Sequence, residues 1–179
     1  NRFDPAELSV TKTVDTASLD QSDGKIYYGP FPTTVECTFN NAAVYADGYA
    51  ADAPMQKDLE DADTWLLSGL PQGADCTVTE TDSKGATSST VVTTAGSADP
   101  VENATVTLAA LPASNSAAIT NSFDTGSLSL SKALAGDGAE AWGTAPFTVN
   151  VECTLDDESG SRTVWLKDYT FQVVDGAIA

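Results

Sequence analysis

Residues 8–14 read LSVTKTV and residues 128–134 read LSLSKAL. Further along, Gly29-Pro30-Phe31 leads into TTVECTF at 33–39, and Ala145-Pro146-Phe147 leads into VNVECTL at 149–155. Two matched landmarks in the same order mark an internal repeat, so the chain must be able to build the same kind of unit twice. Both landmarks alternate apolar with small polar residues, the period of a half-buried strand. The reading is one complete unit over residues 1–125 and the opening part of a second, similar unit over 126–179. Phe123-Asp124-Thr125-Gly126-Ser127 is the short junction between them.

Within the first unit, strands are expected near 8–14, 33–40, 64–68, 75–82, 87–93, 104–109 and 117–123, with Gly, Pro, Asp and Asn clusters between them. Seven or so short strands with turn signals predict an all-β fold, an Ig-like sandwich of two sheets. The connections 15–30 and 46–63 read as polar loops, with residues 58–63 as a short helix or an acidic turn. Neither this acidic stretch nor Asp20-Gln21-Ser22-Asp23-Gly24 has the spacing of an EF-hand, so no metal is assigned to either.

Charge narrows the partners. Eight Lys and Arg residues stand against 26 Asp and Glu, for a formal net charge of -18. A surface this acidic repels phosphates and anionic lipid, so nucleic acid is excluded as a partner. No stretch approaches the ~20 apolar residues of a membrane-spanning helix, so membrane insertion is not expected either. The polar opening Asn1-Arg2-Phe3-Asp4-Pro5 carries no secretion signal and reads as a mature or excised segment. With no histidine and no CxxC pair among three cysteines, no cofactor and no metal is expected.

Cys37 is in phase with Phe31, Val35 and Phe39, and Cys76 with Val78, so both point inward from strands of one unit. A Cys37–Cys76 disulfide is the simplest use of the pair and implies an oxidising, extracellular setting; two buried free thiols are the alternative. Cys153 is the counterpart of Cys37, and no counterpart of Cys76 follows it.

Phase also isolates three polar residues. Lys12 shares a strand face with Leu8, Val10 and Val14; Glu80 shares one with Cys76 and Val78; Asn121 lies between Ile119 and Phe123. A buried ammonium is costly unless it is paired, neutralised or consumed by chemistry. A desolvated lysine is a nucleophilic amine, and a carboxyl group in the same apolar setting is pushed toward its protonated form, can hydrogen-bond to the amide oxygen to polarise the carbon for attack, and can then pass the proton to the departing ammonia. Held together, the three can join Lys12 to Asn121 through an isopeptide bond with Glu80 promoting the reaction. The plainer alternative is a buried Lys12–Glu80 ion pair with Asn121 hydrogen-bonded beside it.

The order LSVTKTV, then CTVTETDSKG, then AITNSF resembles the Cna-B-type (prealbumin-like) repeat domains of Gram-positive surface adhesins and pilins, and is close to a group of uncharacterised surface-protein repeats. The resemblance covers about residues 7–125 and resumes near 127. It implies a prealbumin-like sandwich in which a first-strand lysine is bonded to a last-strand asparagine with help from an acidic residue, roles that fall on Lys12, Asn121 and Glu80. Asp82-Ser83-Lys84-Gly85 replaces the usual proline-containing turn, and the Cys37 and Cys76 pair is an addition. Asp82 is therefore the substitute candidate for the helper acid.

The leading expectation is a structural stalk repeat of a secreted, cell-wall-associated adhesin or fibre of a Gram-positive bacterium. Its partners would be neighbouring repeats of the same protein, and its chemistry one self-modification without turnover, hence no enzyme. The second is a ligand-binding module for carbohydrate or a host protein, using its loops and the aromatic residues Tyr27, Tyr28, Tyr45, Tyr49 and Trp142. Lys132 repeats the phase of Lys12, but no counterpart of Glu80 or Asn121 follows it, so no isopeptide bond is expected at Lys132 within these residues.

Overall fold

The computed structural model describes residues 4–16, 29–124, 128–132, 135–136, 147–157, 160–171, 173–174 and 177–178. It divides into two compact units, one holding the described residues through Asp124 and the other those from residue 128 onward. Among the described residues there are strands and turns and no helix.

The first unit contains ten strands: β1 Pro5–Asp15, β2 Phe31–Phe39, β3 Ala42–Val44, β4 Gln56–Leu59, β5 Thr64–Pro71, β6 Asp75–Glu80, β7 Ser88–Ala95, β8 Val101–Glu102, β9 Thr105–Thr107 and β10 Asn115–Ser122. They form two sheets. One runs β5-β1-β10-β7-β8 and the other β3-β2-β6-β9, with β4 also paired to β2. The first and last long strands are neighbours and run parallel, with Lys12 opposite Ile119 and Val14 opposite Asn121. Every other strand pair is antiparallel.

Alternation explains which residues lie between the sheets. In β1 the side chains of Ala6, Leu8, Val10 and Lys12 are buried while their neighbours are exposed or half-buried, and in β10 the same holds for Asn115, Ala117, Ile119 and Asn121. Val35 and Cys37 of β2, Cys76 and Val78 of β6 and Val106 of β9 close the core from the other sheet. Burying such side chains contributes ~1.5–3 kcal/mol each for the larger aliphatics. Their period of two also fixes register, because a slip of one residue would turn the whole set to water. The β2–β3 hairpin closes on Asn40 and Asn41, at φ 49° and 63°, the left-handed pair that a two-residue reversal between twisted strands requires and that asparagine tolerates.

Two expectations need correction. The connection 46–63 is not simply a polar loop: Gln56–Leu59 pairs with the first half of β2, and Ala46, Met55 and Leu59 are buried. Of the two readings for residues 58–63, the acidic turn is the one found, and no helix forms there. After Leu59 the chain makes an acidic turn in which the Glu60 N–H donates to Asp63 Oδ2 and the Asp63 N–H to the Glu60 carbonyl. Finally, β6 ends at Glu80, so strand phase does not carry on to Asp82. Most of the connection 15–30, with Tyr27 and Tyr28, lies outside the described residues, as does Trp142.

In the second unit, β11 Phe147–Asp157 and β12 Gly160–Phe171 form an antiparallel pair, and β13 Val173–Val174 pairs with β14 Ala177–Ile178. β11 begins at Phe147 as β2 begins at Phe31. The Lys132 Nζ lies 5.0 Å from the Phe147 ring centre. Cys153 is a free, half-buried thiol.

Candidate cross-link site

The site forms at one end of the core of the first unit, where β1 and β10 of one sheet face β6 and β2 of the other. Lys12 is carried by β1, and its own backbone is held by the acidic turn: its N–H donates to the Asp63 carbonyl at 3.0 Å and its carbonyl accepts from Ala62 N–H at 3.0 Å. Its side chain runs inward because Val10, two residues before, also does. Glu80 is the last residue of β6, opposite Thr33 of β2. Asn121 is the last inward residue of β10.

The three side chains meet. Lys12 Nζ donates to Glu80 Oε2 at 2.5 Å, and Asn121 Nδ2 donates to Glu80 Oε1 at 2.7 Å. The Lys12 side chain is 0% and that of Glu80 3% exposed, and Asn121 is fully buried. The Lys12 amine nitrogen and the Asn121 amide nitrogen thus hang on the two oxygens of a single carboxylate. Lys12 Nζ also sits 4.0 Å from the centre of the Phe31 ring. Asn121 Nδ2 makes a second hydrogen bond to the Ser83 carbonyl at 3.3 Å, and Ser89 Oγ reaches Glu80 Oε1 at 3.5 Å. Asn121 Oδ1 is buried with no hydrogen-bond partner, so the expected contact of the carboxyl group with the amide oxygen needs correction: the Glu80 oxygens both accept, and Oε1 meets Asn121 at its nitrogen.

Removal from water is the largest influence on Lys12 and lowers its pKa below the usual 10.5. The hydrogen bond to Glu80 and the negative charges of Glu80 and Asp61 pull the other way without cancelling it. Lys12 therefore gives up its proton more readily than a lysine in water, and the neutral amine is the form that can act as a nucleophile.

An unlinked Lys12–Glu80 pair with Asn121 beside it is the plainer alternative foreseen from sequence, and it is also an arrangement from which a bond could form. Asn121 bears on the choice. A buried acceptor without a partner costs ~1–3 kcal/mol, and a buried ion pair is at best weakly stabilising, so this cluster is a poor device for stability alone.

Cys37 and Cys76 are disulfide-bonded across the β2–β6 ladder, where they are directly opposite each other. This bond lies four residues along each strand from the Thr33–Glu80 pair and on the same inward face. Asp82, the substitute helper, is engaged elsewhere, since its Oδ1 accepts from the Lys84 N–H at 2.8 Å and its Oδ2 pairs with the Lys84 ammonium.

Two participants escaped sequence reasoning. Phe31 belongs to the repeated Pro-Phe landmark, and its reappearance as Phe147 near Lys132 was the available signal for a ring beneath the lysine. The Ser83 carbonyl has no side-chain signature at all. Tyr49, offered for a ligand site, accepts a hydrogen bond from Trp65 Nε1 at 3.1 Å and packs edge-on against that ring. Tyr45 is half-buried. An open hollow of ≈ 340 Å³ at Pro32, Gln56, Lys57 and Asp58 has no aromatic lining. Among the described residues no group of three or more His, Cys, Asp and Glu side chains is arranged to hold a metal ion, and no helix is long and apolar enough to cross a membrane.

A family model described as "Domain of unknown function (DUF5979)" matches residues 8–124 and residues 128–178. No curated protein matches the chain. Solved structures similar to it include the major pilin protein T-13 of Streptococcus pyogenes, at 17% identity and a TM-score of 0.46 over 68% of this chain and 46% of that one. The pilus-presented adhesin Spy0125 (Cpa) is similar at 22% identity and a TM-score of 0.46, over 68% of this chain and 27% of that one. A bacterial adhesin from Mobiluncus mulieris, described as containing intramolecular disulfide, isopeptide and ester bond cross-links, is similar at 19% identity and a TM-score of 0.45, over 69% of this chain and 42% of that one. The chain spans less than half the length of each of these proteins.

Proposed function

The chain belongs to the DUF5979 family, and we propose that its first unit is a self-cross-linking, tension-carrying stalk repeat of a secreted, wall-associated adhesin or fibre of a Gram-positive bacterium. The observation that carries this reading is the sharing of one buried carboxylate by Lys12 Nζ and Asn121 Nδ2. Glu80 takes a proton from the Lys12 ammonium, and the neutral amine attacks Asn121 Cγ. As the Nζ–Cγ bond forms and the Cγ–Nδ2 bond breaks, Glu80 passes a proton to Nδ2 and receives one from Nζ. Ammonia leaves, the isopeptide bond remains, and nothing turns over. Contact between the groups supplies the effective concentration that makes so slow an aminolysis feasible.

The position of the bond gives it its use. β1 and β10 are parallel neighbours, so a pull on the two ends of the unit shears one past the other. With Lys12 joined to Asn121, force enters along Pro5–Lys12, crosses the new bond and leaves through Asn121–Asp124. The enclosed sandwich carries almost none of it. Neighbouring repeats of the same protein are the natural partners of such a unit. A ligand-binding module has less support, since Tyr49 is engaged with Trp65.

Single-molecule pulling between residues 4 and 124 tests this use. The wild-type unit is expected to reach high force without releasing its interior. Lys12→Ala with the disulfide intact is expected to unfold with a release of roughly 240 Å of contour, and reduction to add roughly 130 Å more. Release of the interior by the wild-type unit would contradict the proposal.

A further inference from the structure

The turn after β6 is built around Asp82. Its Oδ1 accepts from the Lys84 N–H at 2.8 Å and its Oδ2 pairs with the Lys84 ammonium, the two side chains being 11% and 13% exposed. Lys84 and Gly85 have φ of 57° and 75°, and the Ala86 N–H donates to the Ser83 carbonyl at 3.2 Å. This is the two-residue reversal with both central residues left-handed. Glycine adopts that conformation freely, whereas lysine is strained in it. Asp82 holds the strained residue from both ends, by its backbone N–H and by its ammonium.

The Ser83 carbonyl, fixed by this turn, accepts one of the two protons on Asn121 Nδ2, and Glu80 Oε1 accepts the other. Reversal of the carboxamide would bring Oδ1, which can only accept, against the Ser83 oxygen and leave that contact without a proton. An ionised Glu80 also only accepts and favours the same end of Asn121, and the turn goes on favouring it once Glu80 has taken the Lys12 proton and could donate to Oδ1 instead. The turn thereby keeps the nitrogen, the atom that must be protonated in order to leave, towards Glu80.

We propose that Asp82 is a positioning residue for the cross-linking reaction: it holds the Ser83–Ala86 turn so that the Ser83 carbonyl keeps the leaving nitrogen of Asn121 on Glu80. This rests on the reading that Lys12 and Asn121 become joined. It differs from the role of substitute proton carrier, because both Asp82 oxygens are engaged by Lys84.

The test follows cross-linking with time in chains made by cell-free synthesis, as loss of one ammonia in the intact mass under reducing conditions. Asp82→Ala is expected to slow the reaction on the order of tenfold, the worth of a hydrogen bond to a charged group. Asp82→Asn, whose side-chain oxygen still accepts from the Lys84 N–H, is expected to restore the rate to within about threefold of wild type. Adding Lys84→Gly to Asp82→Ala, which removes the strain that Asp82 offsets, is expected to recover much of the lost rate; a general folding defect would not respond in that way.

An Asp82→Ala chain that keeps pace with wild type would overturn the proposal. So would an Asp82→Asn chain as slow as Asp82→Ala, which would make the ionised carboxylate itself the requirement. A wild-type chain that loses no ammonia would overturn the cross-link and this role together, whereas a reacting wild type with an unaffected Asp82→Ala removes only the role of Asp82.

Discussion

At the scale of the residue, Lys12 is a primary amine held where water does not reach, over the Phe31 ring and against one carboxylate. Glu80 is the only group bonded to both Lys12 and Asn121 among the contacts described for them, so the proposed chemistry would depend on its ability to give and take a proton. Glu80→Gln keeps the shape and loses that ability; it is expected to fold and to retain its full mass, as peptide mapping around Lys12 would reveal. Lys12 also gives a pH signature when the bond is blocked. Its folded pKa lies below 10.5, so between the two values the unfolded chain of Asn121→Ala binds a proton that the folded chain lacks. Stability then rises with pH through that window, because the desolvation penalty is present below it and relieved within it. Relative to a Lys12→Met, Asn121→Ala double variant, the denaturation midpoint of Asn121→Ala is expected to increase from neutral pH towards 10.5. A constant or falling difference would contradict a buried, titrating Lys12. The three side chains were legible from phase because a period of two says which face each occupies. Their hydrogen bonds to one another were not, since those depend on the second sheet closing over the first.

At the scale of the element, long strands with clean alternation were readable and short or charged ones were not. β1, β2 and β10 place every second residue inward, as their sequences predict. β4 reads Gln-Lys-Asp-Leu and buries only its leucine, so it carries no periodic signal and exists because β2 offers it a partner. β8 and β9 are two and three residues long, too short for periodicity to speak. The Cys37–Cys76 pairing could be proposed because both residues point inward, but that they stand directly opposite each other is a matter of register, set by the whole β2–β6 ladder. The disulfide closes a loop with a sequence separation of 39, for which chain-entropy reasoning gives about 4 kcal/mol. In a Lys12→Ala background, Cys37→Ala with Cys76→Ala is expected to lose on the order of 2–4 kcal/mol in denaturant unfolding. A loss under about 0.5 kcal/mol, the range of an ordinary surface change, would show that the bond does not constrain this unit.

At the scale of the whole molecule, the disulfide and the proposed Lys12–Asn121 bond would divide the work. The disulfide ties two neighbouring strands of one sheet, while the Lys12–Asn121 bond would enclose roughly 110 residues and remove on the order of 4 to 5 kcal/mol of denatured-state freedom. The proposed bond alone would lie on the path of tension, since β1 and β10 lead to the two ends of the unit. A net charge of -18 opposes close association between copies of such a chain. The second unit repeats the lysine and ring pair with Lys132 and Phe147. Without counterparts of Glu80 and Asn121 among residues 128–179, it is expected to add no bond of its own.

The most direct test of the account is the intact mass of the purified chain under reducing conditions, which returns the disulfide hydrogens and leaves an isopeptide bond in place. The account predicts a mass short of the sequence by one ammonia, restored in full by Lys12→Ala and by Asn121→Ala. A wild-type chain at its full sequence mass would contradict it and leave Lys12 and Glu80 as a buried ion pair.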